Sequence, residues 1–362
     1  MAILQPTAPS GPQTRRAPRH LFGRDARSTA LITLLGVGVL LIFLMPLGYM
    51  LATAFKPAEQ LSALNAPLWP AEPVTYTYEG EPLPLYNVPQ PDGSVRQWAL
   101  VKGFREDADF IDPANPAQGV FNWKGRYRTL APVYRFAPTL DNFRVAWDQV
   151  DFMRLFGNTL FLAVVSTIGT LISCIMVAYG FARFKIPGKN ILFIILISTI
   201  VLPPQATIIP LYIFFAKLGW TGTWLPLLVP AFFANAYDVF LLRQYFMGIP
   251  REMDEAAAID GASPLQTLIW VILPQAVPAI TVVTLFHFFF AWNDYFLPLV
   301  YLAGREDLYP ISVGIGKFVG TFNTYPTRAM ATAVVTLILP AVMFFMAQRQ
   351  FMQGVVTTGV DK

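Results

Sequence analysis

Chemistry in this chain rests on few residues, because its 362 positions include only 2 histidines and 1 cysteine. His20 lies in a polar N-terminal stretch, and His287 lies inside an apolar run far from it. Cys174 also sits in an apolar run, has no partner for an intrachain disulfide, and belongs to no metal-ligand spacing. No glycine-rich phosphate loop occurs, so any nucleotide would be hydrolysed by another chain. These absences imply a non-enzyme with no metal and no cofactor of its own. What remains is a small set of polar residues in apolar surroundings: Asp238, His287, Asn293 and Asp294. An acid within a membrane costs about 2.5–3.5 kcal/mol on insertion scales, which makes such residues functional candidates. Asn293, Asp294 and His287 accompany the aromatic run 286–290. They could hydrogen-bond the hydroxyls of a sugar while the rings stack on it. The same groups could instead tie helices together or meet a sister subunit. Asp238 carries the same two readings.

The elements that position these residues are membrane spans. The chain is 55% hydrophobic and 13% charged, against about 25% charged in soluble domains. Apolar runs long enough to cross a bilayer recur. We expect spans over residues 30–51, 156–182, 191–215, 225–246, 277–302 and 329–347. Ala52-Thr53-Ala54 imitates a signal-peptidase site, but the first run exceeds the 7–15 residues of a signal core, so an uncleaved helix kinked at Pro46 is expected. Small residues in the second span favour close helix packing. Pro203, Pro204 and Pro210 break the third, either as a wall of a pathway or as a plain kink.

Basic residues set the orientation. With the N-terminus inside, short internal segments hold Arg15, Arg16, Arg19, Arg24, Arg27, Arg183, Lys185, Lys189, Arg243, Arg251, Arg349 and Lys362. The short external ones hold Lys217, Arg305, Lys317 and Arg328. The bias puts both termini in the cytoplasm. It also makes the N-terminal arginines a topology signal rather than a nucleic-acid site. Residues 1–28 read as a disordered cytoplasmic tail, 29–55 as the first transmembrane helix, and 56–150 as an extracytoplasmic segment. Residues 151–347 then form the membrane core, and 348–362 a cytoplasmic tail.

Within 56–150, Val74-Thr75-Tyr76-Thr77-Tyr78 alternates as a strand does. Glu79-Gly80 and Pro91-Asp92-Gly93 read as turns, with another strand over 94–102. Trp98, Trp123, Tyr127 and Tyr134 are either a sugar-stacking surface or the core of a small β-rich module, and its small size favours the core. The outer stretch 303–327, with glycines at 304, 314, 316 and 320, reads as a loop.

Between the fourth and fifth runs lies an island of polar and small residues, 249–274. Pro250 suits a first helical position. Glu252, Asp254 and Glu255 fall in the first turns, where the helix dipole favours carboxylates. Gly261 can take the left-handed conformation that closes a helix. Ser263-Pro264-Leu265-Gln266 forms a capping box for a second helix, and Pro274 ends or kinks it. The first helix is too short to be stable alone. Exposed at a membrane surface and rich in acids and alanines, it suits docking into a partner's groove.

The spacing Glu255-Ala256-Ala257, Gly261, Val271, Leu273 and Pro274 resembles the EAA loop of ABC importer permeases, with Val271 where isoleucine is usual. Segments 178–183, 241–246, 292–299 and 347–349 are similar to the carbohydrate branch of that family, in particular to the second permease of maltose-type importers. Residues 55–57 and 138–143 resemble positions that normally lie much closer together, which makes about 71–137 an insertion. Asp361-Lys362 departs from the Lys-Gly ending frequent in the family.

The resemblance implies an all-α polytopic membrane protein with six transmembrane helices of type I ABC importer permease architecture, carrying a small β-rich extracytoplasmic insertion. It implies a permease subunit of a bacterial-type inner membrane. The implied partners are a second permease, two ATPase subunits that use ATP, and an extracytoplasmic sugar-binding protein. Glu255, Ala256, Ala257, Asp260, Gly261, Leu273 and Pro274 would couple to the ATPase. An ion-coupled secondary transporter, which would more often show an internal repeat, and a membrane-anchored receptor or enzyme using the 56–150 module are the competing classes.

Overall fold

Helix α1 (Ala26–Ala54) is a 29-residue apolar helix that continues on both sides of Pro46. The computed structural model describes residues 26–63, 65–90, 93–319 and 324–356. The expectations for residues 1–25, with His20 and the tail's other four arginines, for Pro91-Asp92, for Gly320 and for the last six residues lie outside them, whereas Arg27 and the end of the expected tail, residues 26–28, already belong to α1. Two compact units divide at Tyr49/Met50. Most of α1 belongs to the first, and all later elements belong to the second.

The β-rich segment leaves and rejoins the helical part at one neck. Strand β1 (Ala71–Pro73) pairs antiparallel with the last strand, Tyr134–Phe136, so that Ala71 faces Phe136. Buried Gln60 holds the approach: its Nε2 donates to the carbonyls of Pro67 and Trp69, and its Oε1 accepts from Ala71 N–H. Asn142 Nδ2 donates to the carbonyls of Ala54 and Lys56 at 2.9 and 2.7 Å. The Phe55 and Phe143 rings stand 5.0 Å apart. The two flanks that sequence reading expected to be neighbours are thus in contact.

Beyond the neck run β2 (Thr75–Tyr78), β3 (Glu81–Pro89), β4 (Val95–Gly103), β5 (Asp107–Ile111), β6 (Phe121–Lys124), β7 (Ala131–Pro132) and β8 (Tyr134–Phe136), mostly as an antiparallel meander. Glu79 and Gly80, both at positive φ, make the two-residue turn between β2 and β3, a twist that matches paired strands. Trp98, Val88, Ala108, Phe110 and Leu130 are buried together, with Trp123 and Tyr127 packed on them. These aromatics form the module's core. Tyr134 lies apart in β8.

The helical part continues with α2 (Asp141–Val150), α3 (Phe152–Arg183), α4 (Lys189–Ser198), α5 (Pro204–Lys217), α6 (Leu225–Leu228), α7 (Ala236–Gly248), α8 (Glu252–Ile259), α9 (Pro264–Thr267), α10 (Leu273–Gln275), α11 (Val277–Asn293), α12 (Phe296–Tyr301), α13 (Ile311–Gly314) and α14 (Pro326–Val356). Among the described residues four helical stretches are long and apolar enough to cross a membrane, or six if each sharply bent pair counts as one. Three expectations change. The fourth run unwinds at its middle, between a turn over Val229–Phe232 and α7. The fifth ends its long helix at Asn293 and restarts as α12. The outer stretch 303–327 is not an open loop: Ile311, Val313 and Gly314 of α13 are buried. Thr159 Oγ1 accepts the Ile311 N–H at 2.8 Å, and Asn158 Nδ2 donates to the carbonyls of Asp307 and Tyr309. On its exposed side Lys317 donates to Glu306 and Arg305 to Asp307, which holds both carboxyls below their ordinary range.

α3 is the hub, packing on α7, α11 and α13. Its buried positions include Thr159, Ala163, Ser166, Gly169, Thr170 and Ala178, and small side chains of this kind let helix backbones approach. The approach is tightest at Gly169, where an added Cβ would stand 2.8 Å from the Phe232 ring. Gly169→Val should therefore lower the apparent Tm of the purified chain by several degrees, because overpacking costs about 1–3 kcal/mol. Gly157→Ala, with open space at the same test, should leave Tm unchanged.

Candidate functional site

Two cavities share a wall where α3, the unwound fourth span and α11 meet. One, of about 220 Å³, is lined in part by Ser166, Thr170, Asn235, His287, Phe290 and Asp294. Its neighbour, of about 630 Å³, is lined by Asn235, Tyr237, Asp238, Phe286, His287, Phe289 and Phe290. Broken helices persist in a membrane only where the freed backbone groups are satisfied, and here side chains do this. Asn235 caps α7: its Oδ1 accepts the Asp238 N–H at 2.9 Å, while its Nδ2 donates to Asp238 Oδ2 at 2.6 Å. Thr170 Oγ1 and Ser173 Oγ donate to the carbonyl of Ala231 in the preceding turn.

His287 bridges the three elements. Its Nε2 lies 3.1 Å from Thr170 Oγ1 on α3, and its Nδ1 lies 3.9 Å from Asp238 Oδ2 on α7. Asp294 ends α11 and caps the start of α12, its Oδ1 accepting the Leu297 N–H at 3.3 Å. Asp238, His287 and Asp294 therefore gather around one pair of cavities. Asn293 does not join them. Its Nδ2 donates to the Phe289 carbonyl of its own helix, and it faces a different cavity beside Trp292 and Ser312. Among the described residues none of α4 or α5 lines the paired cavities. Sequence reading missed Thr170, Ser173 and Asn235. Asn235 carried a signal, since asparagine three positions before an acid is a helix-start pattern.

The island at the far end of α3 and α7 is built as its residues dictate. α8 carries Glu252, Asp254 and Glu255 in its first turn. Its end is a Schellman closure: Ala262 N–H donates to Ala257 O and Gly261 N–H to Ala258 O, with Gly261 at φ +80°. Ser263 and Gln266 cap each other reciprocally. The next turns widen to i→i+5 bonding over Leu268–Ile272, directly before Pro274, which has no N–H to give. The segment then meets α11 at 84°.

One face of the island is held and the other is free. Arg183, at the end of α3, lies 3.1 Å from the carboxylate of Asp254 and donates through Nη2 to the Ile249 carbonyl at 2.9 Å. The Arg183–Asp254 contact is off the hydrogen-bond axis, so its strength is that of charges in close proximity. Tyr179 Oη donates to the Pro264 carbonyl at 3.1 Å. Leu268 and Ile272 enter a core cluster with Ala178, Ala182, Leu242 and Phe246. Of the coupling candidates, Ala257 is buried, while Glu255, Ala256, Asp260, Gly261 and Pro274 are exposed and Leu273 is half-buried. Ile259 is 87% exposed and Trp270 75%, a large apolar area beside a row of acids.

Similar proteins give this geometry a context. The osmoprotective compounds uptake permease protein GgtD of Synechocystis sp. is 35% identical over 206 residues, 57% of this chain and 69% of that protein. The alpha-glucoside transport system permease protein AglG of Rhizobium meliloti is 29% identical over 61% of this chain and 60% of its own length. The trehalose/maltose transport system permease protein MalG of Thermococcus litoralis is 26% identical over 73% and 90% respectively. A chain from the crystal structure of a bacterial ABC transporter involved in import of the acidic polysaccharide alginate shares the fold at a TM-score of 0.62 and 20% identity, covering 91% of this chain and 98% of that one. Residues 169–354, which hold both the paired cavities' α7 and α11 walls and the whole island, match the family described as binding-protein-dependent transport system inner membrane component, and the chain belongs to that family, the permeases of ABC importers.

Proposed function

We propose that the chain is the transmembrane permease subunit of an ATP-driven, binding-protein-dependent importer of sugars or closely related neutral polyols. It works by alternating access across a bacterial-type inner membrane, with six spans of type I architecture and both termini cytoplasmic. Its partners are a second permease, two ATPase subunits and an extracytoplasmic sugar-binding protein. The family membership favours this reading over an ion-coupled carrier or a membrane-anchored receptor or enzyme.

The observation that carries the proposal is the division of the island into a clamped face and a free one. The free face, with Glu255, Ala256, Asp260 and Gly261 exposed, is offered to an ATPase subunit. The clamped face passes displacement on through Arg183 to α3 and through Pro274 to α11. Those helices carry Thr170 and His287 to the cavities. Nucleotide does work here by binding the two conformations of the assembly with different affinity. The solute class follows from the cavity walls. Among the described residues they hold carboxylates, hydroxyls, an amide, an imidazole and phenyl rings, and no lysine or arginine, which suits uncharged hydroxyl-rich solutes. The names of the relatives, an alpha-glucoside and a trehalose/maltose permease among them, point the same way.

Two measurements test the coupling. Arg183→Gln should speed amide exchange across residues 249–262 about tenfold or more, while exchange in the middle of α3 stays as in the parent. Breaking a buried ion pair costs about 3–5 kcal/mol, and less is expected here because Asp254 keeps 22% of its side chain exposed. Gly261→Val should reduce uptake at least tenfold with membrane insertion intact. The added side chain meets open space but a φ of +80°, and β-branched residues are outliers there. Gly261→Asn, which tolerates that conformation, should keep most uptake. Normal uptake by the valine variant would rule out docking through this bend.

A further inference from the structure

The β-rich module carries a feature away from the paired cavities. Two of its loops are stitched together by Gly125 N–H donating to the Glu106 carbonyl at 2.9 Å. Between them opens a cavity of about 660 Å³ with Arg105 on one loop and Arg126 and Arg128 on the other. Its floor depends on Gly103, where any Cβ would collide with the Tyr127 ring. That ring lies close on the strand and holds Arg128, whose Nε donates to Tyr127 Oη at 3.4 Å. Arg126 is fixed from the other side, its carbonyl accepting from both the N–H and the hydroxyl of Thr129. The backbone under the arginines is therefore set by hydrogen bonds and close packing.

The charges are unbalanced. Among the described residues no acidic side chain lines the cavity. Among the described residues none of the three arginines forms an ion pair. The nearby carboxylate of Asp107 is occupied by Asn122 Nδ2 at 3.2 Å. Lys102 adds a fourth cation at the rim, 5.3 Å from the Phe104 ring centre. Three arginines lining one concave site raise the local positive potential. Guanidinium forks match phosphate and carboxylate oxygens two at a time, and three forks suit more than one such group.

We infer that this cavity is a binding site for a polyvalent anion bearing closely spaced phosphate or carboxylate groups. The site lies outside the transport cavities, and its chemistry is independent of the solute those carry. A free anion and an anionic lipid headgroup present the same chemistry.

The test uses the full chain in phosphatidylcholine nanodiscs, titrated calorimetrically with inorganic pyrophosphate at low ionic strength. The parent should bind, and the combined Arg105→Gln, Arg126→Gln, Arg128→Gln variant should bind at least about tenfold more weakly, the scale of one lost charge-assisted hydrogen bond. Arg96→Gln, an exposed arginine elsewhere on the same sheet, should stay within about twofold of the parent. Repeating the titration in phosphatidylglycerol discs separates the sources: arginine-dependent competition assigns the site to a lipid headgroup, and unchanged affinity assigns it to a freely diffusing anion. Absence of arginine-dependent pyrophosphate binding, or an equal loss in Arg96→Gln, overturns the inference.

Discussion

An arginine whose side chain is 7% exposed, Arg183, holds the island to the membrane helices. The need for it follows from length. α8 has 8 residues, below what a helix needs to persist unaided, and it presents three carboxylates in its first turn. Its dipole and its caps shape it, but they do not fix it in place. Arg183 does so from the end of α3 by neutralising Asp254 and occupying the Ile249 carbonyl. Tyr179, one turn earlier on the same helix, reaches the Pro264 carbonyl. One helix end thus grips the island before and after its bend, and the bend becomes a stiff corner.

A second constraint explains the polar residues within the apolar runs. Both the fourth and fifth runs break, and each break frees backbone groups that lipid would leave unsatisfied. Asn235 and Asp294 cap the restarted helices, and Thr170 and Ser173 serve the Ala231 carbonyl. The sequence left Asp294 between two roles, solute contact and adhesion between helices, and did not single out Asn235, Thr170 or Ser173. The geometry shows all four tying helical segments together. Such a bond uses one face of a side chain, and Asn235, Asp294 and Thr170 line the cavities with what remains.

What could be read from sequence follows the range of the interactions. The island was legible nearly residue by residue because its signals are local: the Ser263–Gln266 box, the glycine closure, the proline. The β2–β3 hairpin was legible for the same reason. The breaks at 233–235 and at Asp294 were not, because hydropathy is continuous across them and only a cap pattern marks them. The stretch around α13 was read as a loop from its glycines. Gly314 is there because Leu155 presses on it and a Cβ would collide with that side chain, a contact between positions far apart in the chain. Trp98 and Trp123 were legible as core from the small size of the module, but their shared contact with Phe110 was not, since only sheet register brings them onto it.

The corner and the cavities are linked by shared helices. Leu268 and Ile272 of the island pack in one cluster with Cys174, Ala178 and Ala182 of α3 and with Val239, Leu242 and Phe246 of α7. A close-packed cluster resists compression and transmits displacement. A force on α8 is then split between α3, through Arg183 and Tyr179, and α11, through the 84° corner after Pro274. Those two helices carry Thr170 and His287, whose 3.1 Å contact closes one side of the cavity wall. Asp238 closes the other at 3.9 Å from the α7 side. Because the three helices enter the corner at different points, a displacement there alters the spacing of Thr170, His287 and Asp238 unless all three move as one body. The longest of those contacts is the imidazole to carboxylate approach, in which His287 lines both cavities and Asp238 lines the larger one.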